Sequence, residues 1–175
     1  MNRKSPRLKY FDYSTPGAYV ITIATLQRRK VLAVERSGCL ELTEVGREVA
    51  ECWRGLGRYH ANTLIDHFAV MPDHFHGIVF LNLPWLEGYR ADRQTNLCNL
   101  VKSFKNHTQK LANEILVVRR GGNGYFHLWQ KRFYDTVIRD ETHLYRARKY
   151  VLQNPLAWRI GRFGIPEGGY PGVEV

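Results

Sequence analysis

Acidic side chains are in short supply in this 175-residue chain. Asp and Glu number 16 against 26 Lys and Arg, for a formal net charge of +10. That imbalance favours a polyanionic partner, nucleic acid first and an anionic membrane surface second. Cysteine is scarce as well. Cys39, Cys52 and Cys98 are odd in number and widely spaced, which excludes a zinc-ribbon pattern and a disulfide framework and fits a reducing cytoplasm. Long apolar runs are missing, so no segment is expected to span a bilayer. The basic start, Met1 to Arg7, has no apolar stretch behind it and does not read as a signal peptide. Internal repeats and interdomain linkers are absent too, and one sizeable core is expected.

Residues 1–16 read as a basic arm, with Arg3, Lys4, Arg7 and Lys9 interleaved with Tyr10, Phe11 and Tyr13. Such an arm can lie on a phosphate backbone or fold its rings back on the core. The main unit follows over 17–160, and a glycine-rich extension over 161–175. Ala18 to Thr25 is rich in β-branched residues and reads as a strand buried on both faces. Val31 to Val34 is a short strand or a packed loop. Thr43 is placed to cap a helix over 44–58, which Gly46 weakens. Thr63–Met71 and His74–Leu81 read as antiparallel neighbours joined by Pro72-Asp73. A helix is expected over Asn96–Ile115. A third starts after Asp140 and ends before Pro155, with Leu144, Ala147 and Val151 as its core stripe. The pattern predicts an α+β sandwich: a central antiparallel sheet with one face covered by helices and the other open.

Chemistry concentrates at Asp73-His74-Phe75-His76-Gly77. Alternate side chains of a strand share a face, so His74 and His76 point the same way and Phe75 points into the core. Two imidazoles on a strand can bind a divalent metal, yet they do not complete a site. Tyr150 and Asn154 lie one helical turn apart and face the same space if the third helix packs on the sheet. A divalent cation held by His74, His76 and the carbonyl oxygen of Asn154 would orient and polarise a phosphate for attack by Tyr150. Tyr134, among Lys131, Arg132 and Asp135, is a rival nucleophile. His67, His107, His127 and His143 are alternative ligands or phosphate donors.

Four stretches together resemble the single-tyrosine HUH transposases, most of all the REP-associated tyrosine transposases. They are Tyr13-Ser14-Thr15-Pro16-Gly17-Ala18-Tyr19; Val70 to Ile78; Val101-Lys102-Ser103-Phe104-Lys105; and Leu128 to Glu141 running on to Tyr150-Val151-Leu152-Gln153-Asn154-Pro155. The similarity extends over roughly residues 7–160. The resemblance implies a ferredoxin-like, RRM-like fold with a four- or five-stranded antiparallel sheet. It implies a metal-dependent endonuclease and strand transferase acting on single-stranded DNA beside a hairpin. His74 and His76 match the HUH pair, Tyr150 the nucleophile and Asn154 the third ligand. Tyr150 would form a 5′-phosphotyrosine and release a 3′-OH, with magnesium as the ion, manganese as a substitute and no nucleotide cofactor. Arg3, Lys4, Arg7, Lys9, Lys102, Lys105, Arg132, Arg139, Arg146 and Lys149 would form the DNA track, mainly by phosphate contacts. The protein would sit in the cytoplasm, on the nucleoid when bound to DNA, as a monomer or a homodimer and away from membranes. The competing readings are a non-catalytic hairpin-DNA-binding module, an RNA-binding protein using an open sheet face, and a metal-dependent hydrolase that dispenses with Tyr150.

Overall fold

The computed structural model describes residues 10–37 and 39–159. Arg3, Lys4, Arg7 and Lys9 of the expected arm, and the extension 161–175, lie outside the described residues. The central sheet has four antiparallel strands, β1 (Gly17–Ala24), β4 (Thr63–Val70), β5 (His74–Leu81) and β6 (Tyr134–Ile138), in the order β4-β5-β1-β6. A small hairpin, β2 (Ala33–Arg36) and β3 (Cys39–Leu42), stands beside it. The helices are α1 (Glu44–Arg54), α2 (Leu97–Leu116) and α3 (Glu141–Arg159). Without the hairpin and α3 the chain runs βαββαβ, with its four strands in the spatial order 2-3-1-4. That is the ferredoxin-like arrangement, and the α+β sandwich expected from the sequence is the fold observed.

Strand alternation divides the molecule into two cores. Tyr19, Ile21, Ile23, Phe75, Val79 and Leu81 point to the face covered by α1 and α2. There Trp53 packs at 4.9 Å on Phe75 and 5.3 Å on Phe104, ring centre to ring centre. Gly77 makes this possible, because a Cβ at that position would lie 2.5 Å from Cζ2 of Trp53. Gly46 has a similar role in α1: a Cβ there would meet the Leu32 carbonyl oxygen at 1.8 Å. The residue that lowers helix propensity is the one that lets the helix dock. The α1 entry is capped as expected, with the Thr43 hydroxyl accepting from Gly46 N at 3.0 Å. A separate 3₁₀ turn at Leu56–Arg58 takes up the end of the segment predicted as helix to residue 58.

Of the arm's described rings, Phe11 and Tyr13 take the packed alternative, while Tyr10 is exposed. Tyr13 is buried and Phe11 stands edge-on to it at 5.1 Å, while the Tyr13 carbonyl accepts from Leu97 N at 3.0 Å.

The second sheet face is not open. α3 lies across it, burying Ala147 and Val151 against Val20, Ala69, Met71 and Ile78. Arg148 fixes the helix to β4 through an Nε to Asp66 Oδ2 contact of 2.7 Å, at a register break between Ile65 and Phe68 that swings Asp66 towards the helix. The predicted end of α3 before Pro155 is also corrected, since the helix continues to Arg159 with Pro155 inside it. Proline there removes one N–H and costs about 3 kcal/mol in an ordinary helix. Burial of Asn154 and Ala157 on either side holds the last turn in place. Among the described residues, no helix is long and apolar enough to cross a membrane.

Candidate active site

β5 delivers the two histidines by its alternation. Its register sets His76 opposite Thr22 and His74 opposite Ala24 on β1, on the face that α3 covers. Both imidazoles are buried, each with 1% exposure, and their ring centres are 4.6 Å apart. Each Nδ1 has a partner: Asp73 Oδ1 at 2.6 Å for His74, and Thr22 Oγ1 at 2.8 Å for His76. A carboxylate accepts, so the His74 proton sits on Nδ1 and Nε2 carries the lone pair. Both Nε2 atoms are buried without a hydrogen-bond partner. Burial lowers the His74 pKa in spite of Asp73, and burial with the neighbouring His74 and Arg28 holds His76 well below the usual imidazole range. Two neutral imidazoles held through Nδ1, with both Nε2 atoms unpartnered, form a pair that can turn Nε2 to a metal.

α3 supplies the remaining groups. The Tyr150 ring stands edge-on to His76 at 5.3 Å within the same chain. Its pKa is raised by burial, against an opposing pull from Asn154. Asn154 is itself buried. The structure therefore brings together His74, His76, Tyr150 and Asn154, as the spacing of the sequence suggested. Among the described residues no group of three His, Cys, Asp or Glu side chains converges on a metal position. The donors present are two imidazoles and an amide, and the two orphaned Nε2 atoms fit a divalent cation that takes its other ligands from oxygen donors.

Tyr134, the rival, is exposed on β6. It pairs with Thr22, which pairs in turn with His76, so Tyr134 shares their sheet face with β1 intervening. Of the four histidines weighed as alternatives, His67 bonds Asp66 at 2.6 Å and His143 accepts weakly from Arg139 N at 3.4 Å. His107 is exposed on α2, and His127 packs at 4.7 Å on Tyr125.

The expected DNA track divides. Arg146 and Lys149 are exposed on α3, and Arg132 and Arg139 are exposed at the two ends of β6. Lys102 is exposed on α2, across the sheet from the histidines. Lys105 directs its ammonium to the Gln130 and Lys131 carbonyls at 2.6 and 3.1 Å, tying α2 to the β6 approach.

Residues not singled out from the sequence also belong to the site. Thr22 and Asp73 orient the imidazoles. Arg28 pairs with Asp73 Oδ2 at 3.6 Å. Trp158, carried by the helical turn beyond Pro155, lies 5.9 Å from His74 and beneath the Lys30 ammonium at 5.7 Å. Asp73 was signalled by its place next to His74. Thr22, Arg28 and Trp158 depend on strand register and helix length. A cleft of about 500 Å³ lies elsewhere, along β4, lined by Leu42, Ala50, Arg54, Ile65, Phe68 and Leu152 among others. None of the four site residues lines it.

Solved structures share the fold of this chain. A REP-associated tyrosine transposase bound to a REP hairpin superposes with a TM-score of 0.56 at 18% identity, covering 90% of this chain and 74% of that one. The two chains share a fold. A provisionally assigned transposase of Deinococcus radiodurans R1 gives a TM-score of 0.49 at 17% identity, covering 85% of this chain and 98% of that one. By sequence, an uncharacterized protein of Haemophilus influenzae is 27% identical over 169 residues, 90% of each chain. No family model matches the chain.

Proposed function

We propose that the protein is a metal-dependent single-stranded DNA endonuclease and strand transferase acting beside a hairpin, with Tyr150 as its nucleophile. One observation carries the reading: two buried neutral imidazoles keep their Nε2 atoms unpartnered beside a tyrosine of the same chain. The hairpin in the similar transposase complex supports the choice of substrate. The net charge of +10 supports a nucleic-acid partner.

His74, His76 and Asn154 would hold a magnesium or manganese ion, which supplies Lewis-acid polarisation of the phosphate when bound. Thr22 and Asp73 keep the imidazoles turned, and Asp73 fixes the His74 tautomer. α3 sets the Tyr150 ring against His76. The hydroxyl oxygen of Tyr150 attacks phosphorus. The P–O3′ bond breaks as the P–Oη bond forms, and the tyrosine proton ends on the released 3′ oxygen. One ester is exchanged for another, so no nucleotide cofactor is consumed. Attack on the tyrosyl phosphate by a 3′-OH reverses the sequence and joins strands.

The test is incubation with labelled hairpin-flanked single-stranded DNA and magnesium or manganese. A denaturation-resistant adduct is expected from the native protein and from Tyr134→Phe, and none from Tyr150→Phe. Cleavage without an adduct would move the reading to a hydrolase. Binding without cleavage would leave a recognition module.

A further inference from the structure

Between β1 and β2 the chain makes a tight turn over Leu26–Arg28 in which both Gln27 and Arg28 have φ of 55°. Two consecutive non-glycine residues in the left-handed region are unfavourable and persist only where the surroundings impose them. The surroundings here do so. Thr25 N donates to the Asp73 carbonyl at 2.9 Å, and the Thr25 hydroxyl lies 2.8 Å from the Arg29 carbonyl. Leu26 N donates to Leu128 O at 2.8 Å, and Leu32 N to Pro72 O at 3.0 Å. The turn is pinned on both sides to the loop that presents Asp73 and His74.

The result of that strain is the position of one cation. Arg28 Nη1 is 3.6 Å from Asp73 Oδ2, and the other oxygen of that carboxylate accepts from His74. The contact is an ion pair longer than a hydrogen bond, and the Arg28 side chain is 40% exposed. A guanidinium carries five N–H donors in a planar fork, so a single long ion pair leaves most of them for another acceptor. Lys30 follows on the same segment, above Trp158. The rim of the histidine pair is thus cationic along the turn that carries Arg28 and Lys30.

We propose that Arg28 is a phosphate-binding residue of this site, gripping a phosphodiester of the single strand as that strand crosses the histidine pair. The assignment rests on the single-stranded-DNA reading above and adds to it a fixed, non-covalent anchor. Arg28 holds the strand while its ion pair with Asp73 keeps the anchor in register with His74.

The test is equilibrium binding of a hairpin-flanked single strand over a sodium chloride series without divalent cation, in a Tyr150→Phe background so that no covalent product forms. Arg28→Gln is expected to weaken binding and to reduce the slope of log affinity against log salt by about 0.7, the value of one single-strand phosphate contact. Arg28→Lys should restore the slope, and Lys110→Gln, on exposed α2 surface, should leave it unchanged. Calorimetric titration with manganese alone should show no loss of affinity in Arg28→Gln. An unchanged salt slope in Arg28→Gln would overturn the proposal, whether or not manganese binding falls. Absence of strand binding by the Tyr150→Phe parent would overturn it too. Failure of the native protein to form an adduct sinks the transferase reading and leaves this measurement standing.

Discussion

Thr22 and His76 face each other across β1 and β5, and the Thr22 hydroxyl lies 2.8 Å from His76 Nδ1. This contact fixes the ring so that Nε2 points into the space shared with His74 and Tyr150. Thr22→Val keeps the shape and removes the hydroxyl. Manganese affinity, read by calorimetry, is expected to fall about 10-fold or more, with the thermal unfolding midpoint little changed. Equal affinity in the two proteins would remove Thr22 from the site.

Gly77 and Trp53 make a second prediction. Gly77→Ala drives a methyl group into the indole, at a separation no real contact tolerates. Overpacking of this kind costs about 1–3 kcal/mol, and urea denaturation measures it. Because Gly77 follows His76 on β5, metal affinity should fall with stability in this variant, unlike in Thr22→Val.

Thiol chemistry should discriminate between the cysteines. Cys52 is half-buried in α1, where burial and then the nearby Glu48 and Glu51 raise its pKa to about 11. A raised pKa keeps the thiol protonated. At pH 8 about one molecule in a thousand carries the thiolate that reacts. Cys39 is exposed. Iodoacetamide at pH 8 followed by peptide mass spectrometry should show Cys39 alkylated well before Cys52, with Cys52 accelerating as pH rises towards 11. Rapid labelling of Cys52 at pH 8 would contradict the packing of α1.

The Arg148–Asp66 pair joins α3 to β4. The carboxylate is largely buried and the guanidinium 40% exposed, so solvent screening keeps the contribution to about 1–2 kcal/mol. Arg148→Ala should raise hydrogen exchange of α3 amides about tenfold and leave α1 and α2 amides unchanged. Uniform acceleration through the chain would mean that α3 and the larger core open together.

Much of this site could be read from the chain, because local rules govern its centre. Alternation on a strand put His74 and His76 on one face, and helical spacing aligned Tyr150 with Asn154. The two sheet strands β4 and β5 were also legible, each being an apolar run bounded by turn residues. β6 was not, since Tyr134 to Ile138 is an edge strand with no fully buried residue. The β2–β3 hairpin pairs four residues with four and buries little more than Ala33, so β2 was legible only as one alternative over 31–34 and β3 not at all. Pro155 misled for a different reason. Propensity forbids proline inside a helix, and burial of Asn154 and Ala157 overrode it. Thr22, 54 residues from His76, and Arg28 entered through register and a strained turn, which no local pattern announces.

The packing of Tyr150 on His76 of its own chain also has a stoichiometric consequence. On the proposed chemistry, one histidine pair served by one tyrosine carries one covalent 5′ end at a time. Release of a segment bounded by two cuts would then require either two molecules at the two ends or two successive rounds by one. Quantifying adducts per protein chain in a doubly cleaved product would separate those routes.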